Sequence, residues 1–147
     1  YIFRGNGTTD ILWERFIKID KLVDAIKGLT MFYDYTKMGQ RRLSNLPSSY
    51  HLTFSVDEKK NTIKDAHAYL KAGYSVAVVM PDKDKVKALA WNHPRIIDGD
   101  LSDHRPTDPK GSIVLLRTKG TLRTQQTFFV KDLKWLAAFV SSSPCAA

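Results

Sequence analysis

The chain has 147 residues, of which 43% are hydrophobic and 26% charged, and its formal net charge is +8. This length and composition fit one soluble globular domain, and no apolar run approaches the ~20 residues that a membrane-spanning helix needs. The single cysteine, Cys145, excludes an intrachain disulfide and a cysteine-based zinc or iron–sulfur site. The first residues, YIFRGNG, lack the features of a signal peptide. They resemble a strand, as expected for a segment from the middle of a longer chain.

Apolar runs predict strands along the chain, and the segments between them have helical spacing. The predicted strands cover residues 1–4, 30–35, 50–56, 74–80, 95–98 and 113–117. Helices are predicted over residues 12–26, 62–72, 82–91 and 128–140, with a short helix between residues 38 and 49. Gly28 and Gly73 follow the first two long helices, where glycine commonly ends a helix.

This alternation of strands and helices predicts an α/β protein with a mainly parallel sheet. The spacing suits a partial TIM-barrel-like arrangement, because a full eight-stranded barrel usually needs at least ~200 residues. An open doubly wound sheet is the alternative. We expect a single domain over residues 1–140 and a flexible tail over residues 141–147.

Polar residues follow the carboxyl ends of most of the predicted strands. They lie in residues 4–7, 34–37, 53–55, 98–100 and 117–120. Ligands of parallel α/β sheets bind at this edge, so the coincidence predicts a ligand site there. Polar residues also cap helices and end strands, so a purely structural role of these residues is the alternative.

The connection between the fifth and sixth strands, residues 99–112, is the most polar part of the chain. Carboxylates and an imidazole gather in it and just before it, at Asp98, Asp100, Asp103, His104 and Asp108. Basic residues surround them, at Arg105, Lys110, Arg117 and Lys119. This composition makes the connection the first place to look for a site, although an exposed loop with turn-forming aspartates is the alternative.

We predict Asp98, Asp100 and His104 as catalytic residues. His104 could act as a general acid or base beside a neighbouring aspartate, and Asp98 and Asp100 could hold ribose hydroxyls or a cation. Hard cations such as Mg²⁺ also bind clusters of carboxylates such as this one. The spacing is not that of an EF-hand loop, and turn roles explain these aspartates equally well, so we predict no metal site.

Five blocks of sequence, in this order, resemble one protein family. They are FRGNGTTDILWE (3–14), FYDYTKM (32–38), YHLTFSVDE (50–58), AHAYLKAGYSVAVVM (66–80) and IDGDLSDHRPTDPKGSIVLLRTKG (97–120). Together they resemble the gene-product-eighty-eight family of bacteriophages and prophages. The resemblance implies a radical-SAM-type α/β barrel located in the cytoplasm of the host cell.

The family pattern includes a cysteine-rich segment that does not occur in this sequence. The chain therefore resembles the C-terminal part of a longer protein, or a shortened relative, and its residues do not support cluster-dependent radical chemistry. The resemblance implies a set of residues that face a ligand at the rim of the fold, and it assigns them by position only, without individual roles. The predicted ligand-binding residues are Arg4, Asn6, Asp10, Asp34, Lys37, Ser55, Asp103, Arg105, Asp108, Lys110, Arg117 and Lys119.

We expect a phage-encoded intracellular domain that binds a nucleotide-like or phosphate-bearing ligand at the strand ends. Lys37, Arg117 and Lys119 would hold its anionic groups, and the sequence indicates neither a reaction nor a cofactor. The alternative is a basic nucleic-acid-binding accessory protein of phage replication without catalysis, since a net charge of +8 favours polyanions. Open sheet edges would favour a homo-oligomer or pairing with a missing N-terminal half.

Overall fold

The computed structural model describes residues 1–7, 9–39, 41–59, 62–119 and 130–143. Six strands form one sheet, and every pair of neighbouring strands is parallel. The strands are β1 (Ile2–Arg4), β2 (Met31–Thr36), β3 (Tyr50–Ser55), β4 (Ser75–Met80), β5 (Ile96–Asp98) and β6 (Ile113–Arg117). The prediction of an α/β fold with a parallel sheet is therefore confirmed.

The order of the strands across the sheet is β1-β2-β3-β4-β6-β5. Strands β1 and β5 lie at its two edges, so these six strands form an open sheet and do not close into a barrel. Of the two predicted arrangements, the open one is observed. The sequential order of β1 to β4 is shared with a barrel, but the exchange of β5 and β6 is not.

The helices follow the predicted alternation. They are α1 (Ile19–Ala25), α2 (Thr62–Lys71), α3 (Asp82–Leu89) and α4 (Leu133–Ser142), with short 3-10 helices at Trp13–Arg15, Leu43–Asn45 and Arg105–Thr107. Within the residues that the structure describes, none of these helices has the length and apolar character that crossing a membrane requires.

The predicted helix over residues 12–26 is interrupted. Its first part is the 3-10 helix Trp13–Arg15, and α1 begins only at Ile19. Ile19 is fully buried, whereas Phe16 is 74% exposed. The apolar spacing predicted one straight helix because it counted Phe16 as a core residue.

The last helix begins later than predicted. Asp132 caps α4, because its carboxylate accepts a hydrogen bond from the backbone N–H of Trp135 at 2.8 Å. Val130, two residues earlier, pairs with Val79 of β4 in an extended conformation. Residues 128 and 129 of the predicted helix, and residues 144–147 of the predicted tail, lie outside the described residues.

The two faces of the sheet are covered by different parts of the chain. Helices cover one face, where the ring centre of Tyr69 in α2 lies 4.8 Å from that of Phe54 in β3. Phe139 of α4 stacks on His67 of α2 at 4.7 Å, so α4 lies on the same side. The loop 99–112 covers the other face, where its 3-10 helix contacts β2 and β3.

The strand order explains why this loop lies opposite the helices. Connections between parallel strands are almost always right-handed, so their direction across the sheet decides the face on which they cross. The chain moves in one direction from β1 to β5 and returns from β5 to β6. The return connection therefore crosses on the face that the helices leave open.

Candidate functional site

A cavity of about 630 Å³ opens at the carboxyl edge of the sheet. We call it the carboxyl-edge cavity. Its walls come from the ends of β1, β2, β3, β4 and β6, from the segments that follow β1, β2 and β6, and from Asp103 in the loop 99–112. The predicted location of a site at the strand ends thus coincides with a large cavity.

Four side chains from four adjacent strands form the floor of the cavity, namely Tyr35, Ser55, Val79 and Leu116. Val79 of β4 and Leu116 of β6 are paired in register, so their side chains lie next to each other on one face. With a strand spacing of ~4.8 Å, the floor extends about 14 Å from β2 to β6. It combines an aromatic ring, a hydroxyl group and two aliphatic side chains.

Exposed cations stand around the cavity. They are Arg4, Lys37, Arg117 and Lys119, and the carboxylates among the described lining residues are Asp10 and Asp103. The guanidinium of Arg4 lies 5.1 Å from the ring centre of Tyr35, a cation–π contact that fixes it beside the floor. Cationic side chains outnumber carboxylates among these residues, so the described lining carries a net positive charge.

Asn6 and Asp10 shape the rim after β1 through local hydrogen bonds. The side-chain oxygen of Asn6 accepts from the backbone N–H of Ile11 at 3.1 Å and from Nε1 of Trp13 at 3.0 Å. Both oxygens of Asp10 are engaged, by the hydroxyl of Thr36 at 2.7 Å and by the backbone N–H of Lys37 at 2.6 Å. These two residues hold the segment after β1 against the end of β2.

Asp34 lies beneath the cavity instead of lining it. Its carboxylate is completely buried and accepts hydrogen bonds from the backbone N–H of Asn6 and from the hydroxyl of Tyr50, the latter at 2.7 Å. Arg41 continues the network, because it donates to Tyr50 at 3.0 Å and pairs with Glu14. Burial raises the pKa of Asp34, and these donors oppose the rise. Asp34 therefore supports the rim from below.

The predicted catalytic carboxylates also lie outside the cavity lining. Lys85 of α3 is buried, and its ammonium pairs with Asp98 and with Asp100, the latter at 2.6 Å. Asp100 also accepts a hydrogen bond from the backbone N–H of Arg117 at 2.9 Å. Burial acts to raise the pKa of Asp100, but the bonds from Lys85 and Arg117 outweigh it and lower the pKa.

The remaining charged residues of the loop 99–112 divide into two groups. His104 and Lys110 are exposed and do not line the cavity. Arg105 is 1% exposed, donates to the carbonyls of Gly99 and Ser102, and lies 3.1 Å from Asp108. Burial raises the pKa of Asp108, and the charge of Arg105 opposes it. This buried pair ties the loop together.

A layer of polar atoms lies on the sheet face that the loop covers. Nε2 of His51, the hydroxyls of Thr53 and Ser75, and Nε of Arg105 are buried and have no hydrogen-bond partner in the described part of the chain, whereas Nη1 of Arg105 pairs with Asp108. Burial and the nearby charge of Arg105 lower the pKa of His51 to about 4. The contact between the loop and the sheet is thus polar.

The structure therefore sorts the predicted site residues by position. The cavity brings together Arg4, Asn6, Asp10, Lys37, Ser55, Asp103, Arg117 and Lys119, and it leaves out Asp34, Asp98, Asp100, His104, Arg105, Asp108 and Lys110. Lining residues that the sequence analysis missed are Gly7, Thr9, Tyr35, Thr36, Val79, Leu116 and Thr118. Tyr35 and Thr36 lie in a polar strand end that was recognised, but Val79 and Leu116 carry no polar signal.

Fold and site together define a parallel α/β protein with a cavity at the carboxyl edge of an open sheet, lined by both charged and apolar side chains. Residues 1–132 match the family model of Gene product 88, and the chain belongs to this family of phage gene products. This confirms the resemblance to a phage family, whereas nothing supports the radical-SAM-type barrel. No curated protein and no solved structure matches the chain.

Proposed function

We propose that the carboxyl-edge cavity binds a small phosphate-bearing ligand. The observation that carries this proposal is the set of exposed cations around a cavity of about 630 Å³. Binding sites for small molecules commonly have volumes of ~300–1,000 Å³. Arginine and lysine are the side chains that recognise phosphate oxygens best, arginine through paired hydrogen bonds.

Two features of the floor support the same proposal. Burial raises the pKa of Tyr35, so its hydroxyl stays protonated at neutral pH and can donate to a phosphate or a hydroxyl group. Ser55 lies on the adjacent strand and adds a second hydroxyl to the floor. The ligand would thus meet charged groups at the rim and neutral donors at the floor.

Arg4 offers the sharpest test of this proposal, because it is exposed, lies on an edge strand and borders the floor. We expect pyrophosphate to bind with a stoichiometry of one in isothermal titration calorimetry. Arg4→Gln should weaken it about tenfold, the loss expected for one hydrogen-bonded charge. Lys134→Gln removes the same charge from an exposed position on α4, on the other side of the sheet, and should leave binding unchanged.

Equal weakening by both substitutions would show that only the overall charge attracts the anion. The absence of measurable pyrophosphate binding would overturn the proposal. Thermal melting of both variants provides the check that each remains folded.

Nucleic-acid binding is the second candidate, and the net charge of +8 favours it. A protein that neutralises several phosphates loses affinity steeply as salt rises, because counterions are released. Titration of single-stranded DNA and RNA between ~50 and ~200 mM salt therefore separates the two candidates. Tight, steeply salt-dependent binding of an oligonucleotide, weakened as much by Lys134→Gln as by Arg4→Gln, would favour the nucleic-acid reading.

A further inference from the structure

We propose that the ligand of the carboxyl-edge cavity is a ribonucleoside phosphate, with Asp103 as the acceptor of its ribose hydroxyls. This inference rests on the proposed function and extends it to a class of ligand. Its first observation is the contrast between the two lining carboxylates. Asp10 is fully engaged by Thr36 and Lys37, whereas Asp103 is exposed and no hydrogen bond or ion pair joins its carboxylate to another described residue, so it is available to a ligand.

A carboxylate that faces a phosphate site without a donor is unfavourable for a simple anion, because like charges repel. A ligand with hydroxyl groups reverses this effect, since an ionised carboxylate is a strong acceptor and can take two adjacent hydroxyls. Asp103 lines the cavity two residues before the 3-10 helix Arg105–Thr107, and this helix contacts β2 and β3, so Asp103 lies towards that side of the floor. The ligand should therefore carry a diol close to its phosphate.

The second observation is the apolar end of the floor. Val79 and Leu116 lie side by side on adjacent strands and both line the cavity. Two neighbouring aliphatic side chains offer a flat apolar surface of the kind on which a planar ring packs. Inorganic phosphate and sugar phosphates have no group that would use this surface, whereas a nucleobase has one.

With the phosphate placed at Arg4, the positions along the floor give the order of the ligand's other parts, while Arg117 and Lys119 add positive charge at the β6 end. Arg4 lies at the β1 side, Tyr35 and Ser55 follow on β2 and β3, and the aliphatic pair lies on β4 and β6. The phosphate would lie near Arg4, the ribose below Asp103, and the base over Val79 and Leu116. The floor length of about 14 Å suits an extended nucleotide.

The test compares ligands that differ by one part each. Calorimetry is performed with ADP, GDP, CDP and UDP, with their 2′-deoxy counterparts, with ribose 5-phosphate and with pyrophosphate. At least one ribonucleotide should bind about tenfold more tightly than its 2′-deoxy form, the loss expected for one hydrogen bond to a charged group. It should also bind more tightly than ribose 5-phosphate and pyrophosphate.

Asp103→Ala should abolish the preference for the ribonucleotide and leave pyrophosphate binding equal or tighter. Asp24→Ala, which removes an exposed carboxylate from α1, should keep the preference. A general electrostatic role of Asp103 would change all affinities together and leave the ratio of ribose to deoxyribose forms unchanged.

The outcomes separate this inference from the proposed function. Pyrophosphate or ribose 5-phosphate binding as tightly as every nucleotide would overturn the nucleoside assignment and leave the phosphate site standing. A ribose preference that is absent, or that survives Asp103→Ala, would overturn the role of Asp103. If none of these compounds binds, both the inference and the proposed function fail.

Discussion

His51 shows how a single side chain can make the stability of this protein depend on pH. The residue lies on β3, and its Nε2 is buried under the loop 99–112 without a partner in the described chain. Arg105 is the charged group that acts on it. A second positive charge at this place would be poorly solvated and would face the guanidinium, so the folded protein keeps the imidazole neutral.

We predict that stability falls as the pH is lowered from about 6.5 to about 4, through the titration of His51. The unfolded chain binds a proton at the ordinary histidine pKa, but the folded protein does not until the lower value is reached. The unfolded state therefore binds more protons in this range, and the loss could reach ~3 kcal/mol. Urea denaturation of the wild type and of His51→Gln at several pH values measures it.

The variant should lose most of this pH dependence, whereas His104→Gln, at an exposed histidine, should retain it. Parallel curves for the wild type and His51→Gln would contradict the prediction. The comparison between variants matters because buried Asp34 and Asp108, whose pKa values are raised, contribute with the opposite sign.

Asp98 and Asp100 show why the sequence pointed to the edge of the sheet that carries the cavity but also to residues that do not line it. Their position after a strand predicted that they would lie at the carboxyl edge, and they do. The sequence could not show that Lys85, which lies 13 and 15 residues earlier, folds back and pairs with both. Such a pairing depends on how α3 packs against β5, which no local pattern reports.

The loop 99–112 is the element that joins the fold to the cavity. It follows from the return of the chain between β5 and β6, and it places Asp103 at the cavity wall. Its conformation depends on the buried guanidinium of Arg105, which donates to two loop carbonyls and pairs with Asp108. Of the charged residues that made this loop resemble a site, Asp100, Arg105 and Asp108 make contacts that hold its shape.

We predict that Arg105→Met releases the loop from the sheet. Removing one partner of a buried ion pair leaves the other uncompensated, which typically costs ~3–5 kcal/mol. Hydrogen–deuterium exchange should therefore accelerate within residues 99–112, while the amides of β4 remain protected. Arg42→Met removes an exposed arginine and should leave exchange unchanged.

Protection of the loop equal to that of the wild type would show that other contacts hold it. Uniform loss of protection across the sheet would show instead that the variant is destabilised as a whole. Asp108→Asn, which keeps an acceptor beside Arg105, should have a smaller effect on the loop than Arg105→Met.

Among the secondary-structure elements, the strands were easier to predict than the helices. The runs at 74–80 and 113–117 became β4 and β6 because buried strands need continuous apolar residues. The first helix was predicted incorrectly because a helical pattern of apolar residues does not show which of them, like Phe16, remain exposed. Val79 and Leu116 lie in well-predicted strands, but only the register between β4 and β6 reveals that they form a surface at the cavity.

At the scale of the whole molecule, helices on one face and a polar loop on the other give the sheet two unlike coverings. The apolar core lies on the helical side, where α4 is held by Phe139. This side chain is fully buried and stacks between Trp135 at 5.1 Å and His67 of α2 at 4.7 Å. Most of the stabilisation from apolar burial therefore comes from this side, while the opposite side carries the cavity.

This arrangement predicts that α4 unfolds together with the sheet. Phe139→Ala should lower the free energy of unfolding by ~3–5 kcal/mol, the usual cost of deleting a buried phenylalanine ring. Phe16→Ala removes the same ring from a position that is 74% exposed and should change it by less than ~0.5 kcal/mol. Urea denaturation followed by far-UV circular dichroism and by tryptophan fluorescence should give coincident transitions in both variants. If the fluorescence of Phe139→Ala changed at lower urea than its dichroism, α4 would detach separately, and the helical covering would not be part of one cooperative core.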